Sequence, residues 1–346
     1  METVSDQLDR EKRAVSYDVY DMTVRQLVDM VTAGEINIAP DYQRHFVWDS
    51  ERESELIESI YLGIPVPSLY MAANRDGSWE VVDGVQRLST LVHYCGNEEA
   101  IRKIGRKDPL VISSLQKLTS FNKASFSKIP KSTQLYFTLR PVRVTTLNDK
   151  SDFGIRYDLF ERLNTGGVRL HPQEIRNCVF RGRFRDLLKD LAVDKDYRKV
   201  ARLPQNEQEN ATYEELVLRF FAFSELYEMF DHDVGAFLNS YMLERAEAMP
   251  AADLIKLFGD VMRRASAALP NGVVRGTRNQ TPLNLYEAVV VGLGFALKSG
   301  QHVFIERLQD IMNSEDLRKL TTGATNSRKM VTGRINYVRD ALLAPQ

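Results

Sequence analysis

Three short polar clusters bring together arginine, a side-chain amide and a flexible turn: Tyr42-Gln43-Arg44, Asp83-Gly84-Val85-Gln86-Arg87, and Asn164-Thr165-Gly166-Gly167 with Glu174 shortly after. In the second, an apolar run (Trp79, Val81, Val82) stops at Asp83-Gly84 and a helical pattern begins at once. The first turn of a helix offers unpaired backbone N–H groups and the positive end of its dipole. A glycine there lets the chain turn and lets a ligand approach the backbone. Arg87 adds a planar fork of donors matched to phosphate oxygens. Asp83 can hold that arginine or share Mg²⁺ with a phosphate, and Gln86 can position water or a ribose. The third cluster can present successive N–H groups as an anion nest, with Pro172 and Glu174 opening the next helix. The plainer reading is a turn with a surface arginine and two ordinary helix caps.

The elements that must position these clusters are legible in outline. From Thr23 the pattern predicts a capped helix with Leu27, Val28 and Val31 on one face, ending near Gly34. Pro40 keeps the Tyr42-Gln43-Arg44 stretch extended. A second helix starts at Asp49 or Ser50, carries Leu56, Ile57, Ile60 and Tyr61, and stops at Gly63. Two strands then flank an Asn74–Ser78 turn, and a helix runs from about Val85 to Tyr94. The segment from Gly96 to Ser132 is basic and irregular, and TQLYFTLRPVRVTTL reads as one or two strands. From Asp152 onward the patterns are helical. The expected architecture is α+β: a tail over residues 1–18, a small mixed-sheet domain over 19–150, and an all-α domain over 151–346.

Composition narrows the class. With 346 residues, 43% hydrophobic and 27% charged, the chain has the make-up of a globular protein of two domains. No stretch approaches a membrane span, and the charged start predicts no secretory signal, so a cytoplasmic location is expected. Cys95 and Cys178 suggest free thiols rather than a disulfide or zinc framework. The net charge of −1 conceals an asymmetry: −11 over residues 1–100, +13 over 101–203 and −3 over 204–346. A basic middle suits a polyanion such as DNA, with Phe121, Phe126, Tyr136 and Phe137 available for stacking or for the core. It suits equally well an acidic segment folded against it. The late basic stretch TNSRKMVTGR, with Arg328, Lys329 and Arg334, reads as a loop able to reach nucleic acid or simply to face solvent. Runs such as LVLRFFAF and VVVGLGFAL can serve as core or as an oligomer interface.

The ordered set of motifs INIAPDYQRHFVW, ELIESIYLGIPVPSLYM, WEVVDGVQRLSTL and LFERLNTGGVRLHPQEIRNCVF resembles the GmrSD-type N-terminal domain family. TPLNLYEAVVVGL and TTGATNSRKMVTGRINYV extend the likeness over about residues 20 to 340. The resemblance implies a ParB/sulfiredoxin-like domain with a nucleotide pocket, a helical domain behind it, and a role in anti-phage defence. It also implies binding or hydrolysis of a nucleoside triphosphate, with Mg²⁺, coupled to DNA recognition or cleavage. Carried over, the family's Asp-Gly-Gln-Gln-Arg box falls on Asp83, Gly84, Gln86 and Arg87, with Asp83 as the metal-side carboxylate. The proline-YQR element falls on Tyr42, Gln43 and Arg44, and the later element on Asn164, Gly166, Gly167 and Glu174. One position departs: Val85 stands where the family has its first glutamine, which implies poorer hydrolysis if that glutamine touches the nucleotide. Many relatives append a His-Asn-His nuclease; here His232 and His302 are isolated, so a companion effector or nuclease chain is an expected partner. His45, His93 and His171 lie beside the clusters as candidates for pocket lining. The expectation is a triphosphatase gated by DNA, with possible DNA nicking from the same pocket. The alternative is a non-catalytic regulatory subunit that binds nucleic acid or a partner.

Overall fold

The computed structural model describes residues 3–6, 17–38, 48–74, 76–147, 153–163, 171–204, 207, 211–246, 248–276, 279–323 and 325–344. Contacts divide the chain into two compact units, residues 1–170 and 171–346. The boundary lies beyond residue 150 because helix Phe153–Leu163 packs on strand Trp79–Asp83 and so goes with the first unit.

The first unit is built on a mixed five-stranded sheet. Strands β1 (Tyr17–Thr23), β2 (Ile36–Asn37), β3 (Leu69–Ala73), β4 (Trp79–Asp83) and β5 (Pro141–Leu147) lie in the order β1-β5-β3-β4-β2. β1 and β5 are antiparallel, as are β3 and β4; β3 and β5 run parallel, as do β2 and β4. β1 begins inside the stretch read as a tail and pairs from Tyr17 against Leu147 to Thr23 against Pro141.

Helix α1 (Val24–Ala33) starts on a reciprocal cap. Thr23 accepts the N–H of Gln26, whose own side chain accepts the N–H of Thr23. It ends at Gly34, in the left-handed region at φ 79°. Helix α2 (Ser50–Leu62) is capped by Asp49, which accepts the N–H of Arg52, and stops at Gly63. Helix α3 (Val85–Cys95) follows β4 directly. Val24, Leu27, Ile57, Leu88 and Val92 pack with Met71, Val81 and Val144 into one buried core. Each such side chain contributes about 1.5–3 kcal/mol when removed from water.

TQLYFTLRPVRVTTL is only half strand. After the short helix α4 (Glu98–Lys103), Pro130 opens helix α5 (Lys131–Thr138), and β5 takes the remainder. The Tyr, Phe and Thr in α5 favour strands by propensity. Burial of Gln134 and Phe137, three apart, gives that stretch a helical period instead. Helix α6 (Phe153–Leu163) completes the unit.

The described residues of the second unit are helical throughout. They form α7 (Pro172–Val179), α8 (Arg183–Ala192), α9 (Lys195–Val200), α10 (Thr212–Leu226), α11 (Val234–Arg245), α12 (Ala252–Ala268), α13 (Leu283–Lys298), α14 (Leu308–Asn313), α15 (Glu315–Thr321) and α16 (Arg328–Leu343). α10 and α13 carry the long apolar runs, and both are core: Leu216, Phe220, Val289 and Leu293 are fully buried. Gly292 lets α13 meet α16 closely, since a Cβ there would stand 2.7 Å from Val338 Cβ. Among the described residues no helix is long and apolar enough to cross a membrane.

Candidate functional site

The Asp83–Arg87 cluster is built by three local features. The first is a β-bulge: Met71 faces Val81 but Tyr70 faces Asp83, so Val82 is an extra residue and Asp83 is re-aimed at the strand's end. The second is Gly84, at φ 98°, which reverses the chain without a helix-capping side chain. A Cβ at Gly84 would lie 2.5 Å from Leu69 Cδ2 and 3.1 Å from the Arg87 guanidinium. The third is the start of α3, which places Arg87 one turn after Asp83.

Arg87 is fixed at two points. Its Nη2 donates to Asp83 Oδ2 at 2.6 Å, and its Nη1 donates to the carbonyl of Pro67 at 2.7 Å. The arginine side chain is 14% exposed and the aspartate 41%. The remaining donors of the fork have no partner among the described residues. A guanidinium half-neutralised by a carboxylate and locked against a carbonyl is ready for an anion and loses little freedom on binding one. The Pro67 carbonyl belongs to the Gly63-Ile64-Pro65-Val66-Pro67 turn. That turn was visible in the sequence, but its part in holding Arg87 was not.

Gln86 and Val85 face other tasks. The Gln86 side-chain carbonyl accepts the backbone N–H of Trp48 at 3.2 Å, and Arg106 donates to the Trp48 carbonyl at 3.0 Å. This anchors the chain just after the Tyr42-Gln43-Arg44 element, which lies outside the described residues, as does His45. Val85 is 8% exposed and belongs to the hydrophobic core. A side chain there points into the protein, so the departure from the family's glutamine falls at an inward position.

The later cluster is described only in part. α6 ends at Leu163; Asn164, Gly166 and Gly167 lie outside the described residues. Glu174 is buried in the second unit and accepts the N–H of His171, while His171 Nδ1 accepts the N–H of Gln173. The pair is the reciprocal cap of α7. His93 is buried between the Glu53 carboxylate (2.7 Å) and the Asp108 carbonyl (2.9 Å).

The stretch TNSRKMVTGR is not a loop. From Arg328 it is the first part of α16, with Ser327 as the cap. Arg328 and Lys329 are exposed, Arg328 donating to the Phe230 carbonyl at 2.9 Å. Arg334 is 1% exposed, ion-paired with Glu287 and donating to the Thr325 carbonyl at 2.7 Å. It faces inward because Glu287, alone in an apolar helix, needs a buried cation.

Among the described residues no group of three or more His, Cys, Asp or Glu could hold a metal ion. Asp83 already has Arg87 against one oxygen, so these residues do not fit a resident metal. Mg²⁺ fits here only as the companion of a triphosphate, since it is commonly held by one or two carboxylates plus phosphate oxygens.

A mixed sheet whose central hairpin delivers an aspartate to a glycine-led helix, followed by an all-helical unit, defines an α+β protein with a polar strand-to-helix join. Residues 24–181 match the family described as "GmrSD restriction endonuclease, N-terminal domain". The match covers that stretch alone and likens it to the N-terminal domain of a restriction endonuclease. No curated protein and no solved structure matches the chain.

Proposed function

We propose that the chain binds a nucleoside triphosphate, with its Mg²⁺, at the Asp83–Arg87 join and hydrolyses it under the control of DNA in a defence system. The observation that carries this reading is the two-point fixation of Arg87 beside a glycine-led helix start. Arg87 takes the phosphate oxygens with its remaining donors, and the N–H groups of the first turn of α3 add to it. Asp83 keeps the fork in plane, and Gly84 leaves room for Leu69 and the Arg87 guanidinium beside the helix start. Such chemistry is mostly positioning and charge neutralisation. Tyr42, Gln43, Arg44, Asn164, Gly166 and Gly167 complete the nucleotide contacts in this reading, DNA supplies the signal, and a companion chain supplies any cutting domain.

A second reading has its own support. Val85 is buried and the Gln86 side-chain carbonyl accepts the N–H of Trp48, which favours a structural task for both over ordering an attacking water. On this reading the domain binds nucleotide as a sensor, and turnover is absent.

The test is phosphate release from a panel of triphosphates with Mg²⁺, with and without duplex DNA, for the parent chain, Arg87→Ala and Arg87→Lys. Thermal unfolding of each variant separates a lost contact from a lost fold. DNA-stimulated release that falls about a hundredfold in Arg87→Ala is expected, with Arg87→Lys little better because the fork is gone. Release unchanged by Arg87→Ala removes the assignment. Nucleotide binding without release in the parent favours the sensor.

A further inference from the structure

A second recess in the first unit shares no residue with the Asp83–Arg87 join. Its volume is about 370 Å³, and it is lined by Tyr61 and Leu62 from the end of α2, Leu118 and Phe121, and Ser132, Thr133 and Tyr136 from one face of α5. Such a volume is of ligand-site size. Its floor is rigid. The Tyr61 ring lies 4.9 Å from Phe121 and 4.8 Å from Phe137, and its hydroxyl pairs with that of Tyr94 at 3.2 Å. Its mouth is apolar and open: Tyr136 is 49% exposed and Leu62 41%. The hydroxyls of Ser132 and Thr133 have no partner among the described residues.

The stretch of sequence that supplies Leu118, Phe121, Ser132, Thr133 and Tyr136 is basic. Between Pro109 and Asn148 the sequence contains no aspartate or glutamate, while Lys117, Lys123, Lys128, Lys131, Arg140 and Arg143 are all basic. Arg143 is matched by Asp21 of β1, so there the acidic N-terminal segment does meet the basic middle. Lys117, next to the lining residue Leu118, and Lys131, next to Ser132, are exposed and have no ion pair among the described residues. The Arg140 guanidinium lies 5.0 Å over the Tyr136 ring. The Glu58 carboxylate, also near, accepts the N–H groups of Lys117 and Leu118.

We infer that this recess takes an unpaired base of single-stranded DNA, stacked at Tyr136 and Phe121, with Lys117, Lys131 and Arg140 on the flanking phosphates. A recess for an apolar helix of another protein would need no flanking Lys117, Lys131 and Arg140. A duplex keeps its bases stacked and cannot fill it. An aromatic platform beside basic side chains is what single strands require. The inference rests on the reading of a DNA-linked protein only for the choice of nucleic acid.

The test is anisotropy of a labelled single-stranded oligodeoxynucleotide with the full chain, without nucleotide, against the same sequence as duplex. The single strand should bind more tightly. Tyr136→Ala should weaken it about tenfold or more, and Tyr136→Phe should restore it. Replacing Lys117 and Lys131 together by Gln should flatten the dependence of log affinity on log salt by about 1.4, at ~0.7 per phosphate. Tyr136 is on a solvent-facing side of α5, so its variants keep the fold. Equal affinity for Tyr136→Ala and the parent overturns the inference. So does a dimer of the parent that Tyr136→Ala dissolves while DNA affinity stays, because the recess is then an interface between copies. Binding is read without turnover, so an inactive Asp83–Arg87 join leaves this result standing.

Discussion

At the scale of single residues, the Asp83–Arg87 join depends on a position that no other amino acid fits. Gly84 is in the left-handed region, where a side chain costs about 1–2 kcal/mol. Its missing Cβ also leaves room for the Cδ2 of Leu69, a buried side chain that would have to shift within the core. Overpacking of that kind adds about 1–3 kcal/mol. Gly84→Ala should therefore lose about 2–5 kcal/mol in urea unfolding. Gly77, at φ 84° with nothing within 4 Å of its absent Cβ, is the control. Gly77→Ala should lose only about 1–2 kcal/mol. Equal losses at the two positions would show that the contact with Leu69 does not matter and that the turn alone sets the requirement.

At the scale of elements, what was legible was what local chemistry decides. Thr23, Gly34, Asp49 and Gly63 fix the ends of α1 and α2 through their own side chains or their freedom at positive φ, so the sequence announces them. β1 was missed because its stability comes from β5, more than a hundred residues away, and YDVYDMT is an edge strand, exposed from Tyr17 to Asp21, without a regular apolar alternation. α7 shows both sides. Pro172 and Glu174 marked its start, but His171 as the cap residue was not foreseen. That cap titrates. Burial pushes His171 below its ordinary value; Glu215 and Glu207 pull it up, and Arg176 and Arg219 push it further down. Burial likewise raises Glu215, yet the guanidiniums of Arg219 and Arg176 outweigh it and bring it to about 2, so it stays ionised near neutrality. In the unfolded chain His171 titrates at about 6.5. The unfolded chain thus takes the proton first on acidification. The stability contributed by the neutral imidazole is complete above that value and is lost as pH falls through the lower folded value. His171→Asn keeps a good cap without a titrating group. Urea midpoints from pH 7 to pH 5 should fall less in His171→Asn than in the parent; parallel curves would show that the imidazole does not carry the dependence.

At the scale of the molecule, the second unit is organised around a buried row of charges that no local pattern could reveal. Arg176 of α7 pairs with Glu215 of α10 at 3.1 Å; Glu215 pairs with Arg219 at 2.6 Å; Arg219 pairs with Glu287 of α13 at 2.5 Å; and Glu287 pairs with Arg334 of α16. Four helices are stitched by three guanidiniums and two carboxylates. In the sequence Arg334 closes the basic stretch TNSRKMVTGR, directly after Thr332 and Gly333, which reads as a loop. The clue lay 47 positions earlier, in a lone glutamate among Ala and Val. Removing one partner of a buried pair leaves an uncompensated charge at about 3–5 kcal/mol, whereas the intact pair contributes little over an apolar replacement. Glu287 touches two arginines and Arg334 is the terminal, excess cation. Glu287→Gln should therefore lose about 3–5 kcal/mol. Arg334→Met leaves Glu287 with Arg219 and forfeits mainly the bond to the Thr325 carbonyl, so about 1–3 kcal/mol should go. Hydrogen exchange should locate both losses in peptides from 171–346, with the larger protection loss in Glu287→Gln. The reverse order would mean that Arg334, not the shared carboxylate, is what the row depends on.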